Sequence, residues 1–167
     1  MFRLHCSPDL PDGLDQASLD GLEKAARRTL SRHAAGGLVD IILTGDDEVH
    51  RLNRTFRGRD QPTDVLSFSF VENGQQAITG DDVLIGEDVP AGEVYISLDR
   101  ARVQADELGT PRDRELARLL IHGLLHLAGF DHQTDVDLRE MESLTDELLD
   151  TVAHEDPSWR TDSPKGV

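Results

Sequence analysis

The chain of 167 residues has a single cysteine, Cys6, so it contains no internal disulfide framework and fits a reducing compartment. No apolar run approaches the roughly 18 residues that cross a bilayer, and the N-terminus lacks a charged-then-apolar leader pattern. These absences point to a cytoplasmic protein without a membrane partner. Internal repeats are missing too. Lysine is nearly missing: Lys24 and Lys165 are the only two among 17 basic residues, and the rest are arginines, whose planar fork suits phosphate. Basic residues are outnumbered by 33 acidic ones, for a net charge of −16 that taken alone argues against a nucleic-acid partner. The distribution argues otherwise. Arg51, Arg54, Arg57 and Arg59 fall within nine residues, whereas much of the acid lies around Asp81–Asp88 and after Asp135.

The length suits one domain with a core of its own, spanning residues 1–154 and followed by a polar, flexible tail over 155–167. Phe2–Cys6 reads as a short strand, and Pro8 to Gly13 as a break. From Asp15 to Ala34, Leu19, Leu22, Ala26 and Leu30 recur at helical spacing. Leu38–Thr44 is nearly continuous and β-branched, as in an interior strand. A helix capped by Gly45–Asp47 then runs to Phe56, with Val49, Leu52 and Phe56 inward and Arg51 and Arg54 outward. Val65–Phe70 and Glu93–Leu98 alternate as strands, separated by an acidic, glycine-rich surface loop over 72–91. Helices follow at Asp99–Leu108, after a Thr110–Pro111 start that offers a capping threonine, and from a Thr134–Asp137 capping box to Ala153. Helical connections favour parallel pairing among the first three strands, and the long loop permits an antiparallel fourth. The expected fold is therefore α+β: a mixed four-stranded sheet, mostly parallel with one antiparallel strand, covered by about five helices.

The helix after Pro111 is apolar nearly all round from Leu119 to Ala128, so it should be buried. It also carries His122 and His126. Four residues apart on a helix is about 40° of rotation and roughly 6 Å of rise, which puts both imidazoles on one face. Gly129 can end the helix with positive φ, and the turn can return His132 toward the first two rings. Three imidazoles with an open position suit a catalytic zinc ion, although nickel, copper and iron also accept them. Such a metal lowers the pKa of its water to near 7 and polarises a phosphoryl oxygen, so hydrolysis is the natural reaction. The spacing is that of the metzincin zinc hydrolases, except that Gly123 stands where those peptidases carry a glutamate base. A glycine there costs about 1 kcal/mol of helix propensity, which close packing would offset.

Two separated segments, in order, resemble the YbeY family of metal-dependent endoribonucleases. One is Arg114-Glu115-Leu116-Ala117 followed by His122-Gly123-Leu124-Leu125-His126-Leu127-Ala128-Gly129-Phe130-Asp131-His132. The other is Phe56-Arg57-Gly58-Arg59-Asp60 followed by Pro62-Thr63-Asp64-Val65-Leu66-Ser67-Phe68. The resemblance runs from about residue 38 to 150. It implies single-strand-specific cleavage in ribosomal RNA processing, with ribosomal RNA and the small ribosomal subunit as partners and His122, His126 and His132 as metal ligands. It also marks Arg57 as functional, a phosphate clamp able to neutralise charge in the transition state. Arg51, Arg54 and Arg59 become candidates for backbone binding. Asp131 could orient an imidazole, accept a proton from water, or cap the turn. Glu115 could support the site or pair with Arg118, and Asp64 closes a turn. The family's Gly-Asp-Ile at the fourth strand is replaced here by Gly92-Glu93-Val94. Two other readings fit the same spacing: a zinc peptidase or amide hydrolase, and a non-catalytic ribosome-assembly factor whose metal is structural.

Overall fold

A computed structural model describes residues 1–8, 13–72, 75–76 and 89–155. Its elements are β1 (Phe2–Cys6), α1 (Gln16–Arg32), β2 (Leu38–Thr44), α2 (Asp46–Arg57), β3 (Val65–Ser69), β4 (Val71–Glu72), β5 (Gln75–Gln76), β6 (Pro90–Ser97), α3 (Leu98–Leu108), α4 (Arg112–Leu127) and α5 (Asp135–Glu155). The polar stretch past Glu155, the break at residues 9–12 and most of the acidic loop (73–74 and 77–88) lie outside the described residues. At the ends of that loop the chain is more regular than expected. β4 and β5 pair as a short antiparallel ribbon, and β6 begins at Pro90. No helix among the described residues is long and apolar enough to cross a membrane.

The main sheet has the order β1-β2-β6-β3, with β1, β2 and β6 parallel and β3 antiparallel to β6. The mixed character matches the sequence pattern, but the odd strand is the third, at an edge, and the fourth lies inside. The register explains why. Ile96 pairs with both Leu43 near the end of β2 and Val65 at the start of β3. The α2 segment and its loop thus return the chain to the end of the sheet that it had just left, and β3 can only run back down.

Strand alternation divides the molecule into two faces. Val39, Ile41, Leu43, Val94 and Ile96 are fully buried on the face covered by α1, α4 and α5. Leu66 points to the opposite face, where α2 covers it with Val49 and Leu52. The central element is α4, whose Leu116, Leu119, Leu120, Ile121, Leu124 and Leu125 are all buried. A helix apolar on every side is stable only between layers, and α4 lies between the sheet and α1 and α5.

Phe56 departs from expectation: it is 65% exposed. On the last turn of α2 this ring meets Phe68 edge-on, with centroids 5.5 Å apart at 67°. Two caps also differ. Gly45 has no side chain to cap α2, and the Asp46 N–H donates instead to Asp99 Oδ2 at 2.8 Å, from α3. Pro111, not Thr110, occupies the N-cap of α4, and the buried Thr110 hydroxyl has no partner among the described residues.

The α5 cap forms as expected: the Asp137 N–H donates to Thr134 Oγ1 at 3.2 Å, and the Thr134 N–H to Asp137 Oδ2 at 3.1 Å. Thr134→Ala should therefore cost about 1 kcal/mol in urea unfolding and Thr134→Ser little. Equal loss from both would show that the hydroxyl is not what matters.

Candidate metal centre

The site is built by the way α4 ends. The Gly129 N–H donates to the His126 carbonyl and the Phe130 N–H to the Leu125 carbonyl, both at 3.0 Å, which is the Schellman pattern. It requires a left-handed residue at its corner, and Gly129 has φ 94°. Phe130 folds back against the core, as the motif favours. Two residues later His132 faces the helix. The ligand nitrogens of His122, His126 and His132 all lie within 4.8 Å of one another.

Tautomer and charge suit a cation. His126 Nδ1 is 3.0 Å from the Phe130 carbonyl. A carbonyl can only accept, so Nδ1 carries the proton and Nε2 keeps its lone pair. That Nε2 lies 3.2 Å from His122 Nε2. Two nitrogens each 2.0–2.1 Å from a tetrahedral zinc ion would stand about 3.3 Å apart. Burial, followed by the neighbouring rings, holds His122 down to about 4. Burial and then His132 also lower His126, against the Phe130 carbonyl. Both rings are neutral at pH 7, as ligands must be. The three residues therefore fit a divalent metal. They form a group of three, with no fourth His, Cys, Asp or Glu among the described residues, and the exposed Cys6 ends β1. An open coordination position distinguishes a catalytic from a structural zinc site.

The rings border an open cavity of about 540 Å³, together with Arg57, Asp64, Ser67 and Asp131. Arg57 is the last residue of α2, and the left-handed Gly58 (φ 64°) turns the chain immediately after it. Its guanidinium donates to the Ser67 carbonyl at 3.1 Å. That carbonyl points away from the sheet, because carbonyls alternate along a strand and Phe68's points at Gly92 of β6. Arg57 thus reaches around the sheet edge into the cavity.

Arg51, Arg54 and Arg59 do not line it. Arg51 forms a bidentate pair with Glu48, at 2.8 and 2.7 Å, and borders a different cavity with Tyr95 on the α2 face. Arg54 and Arg59 are exposed and form no ion pair with a described residue. Asp131 accepts from the His132 N–H at 2.8 Å and from Gln133 Nε2 at 2.7 Å. The Gln133 bond, followed by the His132 one, holds its carboxyl below the usual carboxylate range. The turn cap expected of it is formed.

Arg118 and Asp64, whose charges act on His122, are each held by bonds of their own. Glu115, 2% exposed, grips Arg118 with contacts of 2.6–3.0 Å. Asp64 accepts from Val65 N–H at 2.8 Å and Gln104 Nε2 at 2.9 Å, closing its turn and tying it to α3. It also favours the charged form of His122, opposing Arg118. Glu93 turns away from the site and accepts from the Tyr95 hydroxyl at 2.9 Å.

Comparison with known proteins agrees with this geometry. A family model described as "Endoribonuclease YbeY" matches residues 14–153. The chain belongs to the YbeY family. The Endoribonuclease YbeY of Bacillus pumilus (strain SAFR-032) is 38% identical over 151 residues, covering 85% of this chain and 92% of that one. That of Bacillus subtilis (strain 168) is 40% identical over 114 residues, covering 67% and 70%. The solution structure of TM1509 from Thermotoga maritima has a TM-score of 0.62 at 29% identity, covering 99% of this chain and 100% of that one. The α+β architecture is thus shared with that structure.

The glycine between the first two histidines of the group now has a cause. A Cβ on Gly123 would stand 2.6 Å from Val94 Cγ1 and 3.1 Å from both Ser67 Oγ and Val65 Cγ2. A glutamate at this position, as in the peptidases, would have to displace the sheet. Alanine should gain about 1 kcal/mol of helix propensity and lose about 1–3 to overpacking against a stiff, buried valine. Gly123→Ala is therefore expected to destabilise in urea unfolding, and by less in a Val94→Ala background. A stabilised single variant would show that α4 can shift freely.

Proposed function

We propose that this chain is a zinc-dependent endoribonuclease that hydrolyses single-stranded RNA during ribosomal RNA maturation, acting with the small ribosomal subunit in the cytoplasm. The observation that carries the reading is the shared cavity of three imidazoles and one arginine, in a chain whose relatives are named endoribonucleases. Zinc is favoured because three imidazoles and an open position are its usual catalytic surroundings.

His122, His126 and His132 would hold the ion. When bound it supplies Lewis acidity and makes water acidic enough to yield a nucleophile near neutral pH. In the hydrolysis a water oxygen bonds to phosphorus, the bond to one ribose oxygen breaks, and the leaving oxygen takes a proton. Arg57 has N–H groups beyond the one spent on Ser67, and these would hold the non-bridging phosphate oxygens as charge accumulates there. Asp131 accepts the His132 N–H, so its part is to position the third ligand. Arg54 and Arg59, outside the cavity, suit the flanking RNA backbone.

Purified protein with His126→Ala should lose metal-dependent cleavage of single-stranded RNA, and undiminished cleavage would reject the site. Arg57→Glu should lower kcat/KM about 100-fold or more with an unchanged melting temperature. A matching loss of stability would make Arg57 structural. Chelation should abolish cleavage while far-UV circular dichroism persists, whereas unfolding would assign the metal a scaffold role.

A further inference from the structure

The family reading leaves Phe56 without a task, although it is the most exposed large apolar side chain among the described residues, at 65%. It also has an aromatic neighbour. Its ring abuts Phe68 edge-on at 5.5 Å, and Phe68 abuts Tyr95 at 6.0 Å, so three aromatic rings run outward across the sheet to its edge. A ring with an open face is a stacking platform.

Its neighbours are cationic. Arg54, Arg57 and Arg59 flank it in sequence, and none forms an ion pair with a described residue. Two adjacent members of this patch contact consecutive residues of β3: Arg57 bonds to the Ser67 carbonyl, and Phe56 packs on Phe68. Ser67 itself borders the histidine cavity. An aromatic ring one residue from an arginine that lines that cavity matches the repeat of a single strand, in which base and phosphate alternate. A duplex keeps its bases stacked on each other and has none to offer.

We propose that Phe56 is a nucleobase-stacking site that holds an unpaired base next to the phosphate at Arg57. This rests on the RNA reading above and deepens it, because it gives the chain a physical means of preferring single strands. The ring face recognises any base, so the site selects for strandedness and not for sequence.

The test is fluorescence anisotropy of the full chain with a labelled single-stranded RNA of about 12 nucleotides, with chelator present to prevent cleavage. Phe56→Ala should weaken binding about tenfold, whereas Phe56→Trp should match or exceed the parent. Replacing one nucleotide at a time by an abasic one should reveal a position where the alanine variant loses nothing more. Equal affinities of parent and alanine variant would overturn the inference alone and leave the ring to a protein partner. Binding by neither would overturn it together with the RNA reading. Uniform loss at every abasic position, with no position absorbing the effect, would mean that Phe56 shapes the surface and does not stack.

Discussion

The contact on which this structure depends is the approach of α4 to the sheet at Gly123. The backbone of the helix comes close enough that a methyl group would meet Val94 and Val65, and Ser67 Oγ donates to the Gly123 carbonyl at 3.0 Å. The apolar remainder of the helix drives it there, since each fully buried leucine contributes about 1.5–3 kcal/mol against roughly 1 for the glycine's poor propensity. Closeness at that point sets the height of His122 and His126 above β3. It also sets how far Arg57, anchored on the same strand, must reach to share their cavity.

What could be read along the chain was whatever lies within one turn of helix or one strand. The pairing of His122 with His126, the return of His132 after Gly129, and the alternation of Leu66 with Ser67 depend on local geometry, and all appear as expected. The capping box at Thr134 is equally local. The Thr110 cap was misread because Pro111 fits both the N-cap and the first helical position, and the backbone chose the former. Asp99 as the cap of α2 could not be foreseen, because 53 residues separate donor and acceptor.

The harder misjudgements concern edges. Helical periodicity gives the direction in which Phe56 points but not whether anything covers it there. The position of β3 raises the same difficulty, since strand order is decided by where a connection returns and not by its composition. Likewise the Asp64–Gln104 bond joins elements whose proximity exists only in the folded chain, whereas the Glu115–Arg118 pair, three residues apart on α4, is local and legible. The histidine spacing and the YbeY motifs thus located the centre, while its supports came from tertiary packing.

The bond from Arg57 to the Ser67 carbonyl has one more effect. An outer strand exposes a row of unsatisfied backbone groups on which a neighbouring molecule's chain could zip. β3 is five residues long, and a guanidinium already occupies its outward carbonyl at the midpoint. An incoming strand would have to expel that charge and find room beside it. The residue best placed for chemistry therefore also acts as a gatekeeper against aggregation, helping to keep one copy of the protein from templating on the next.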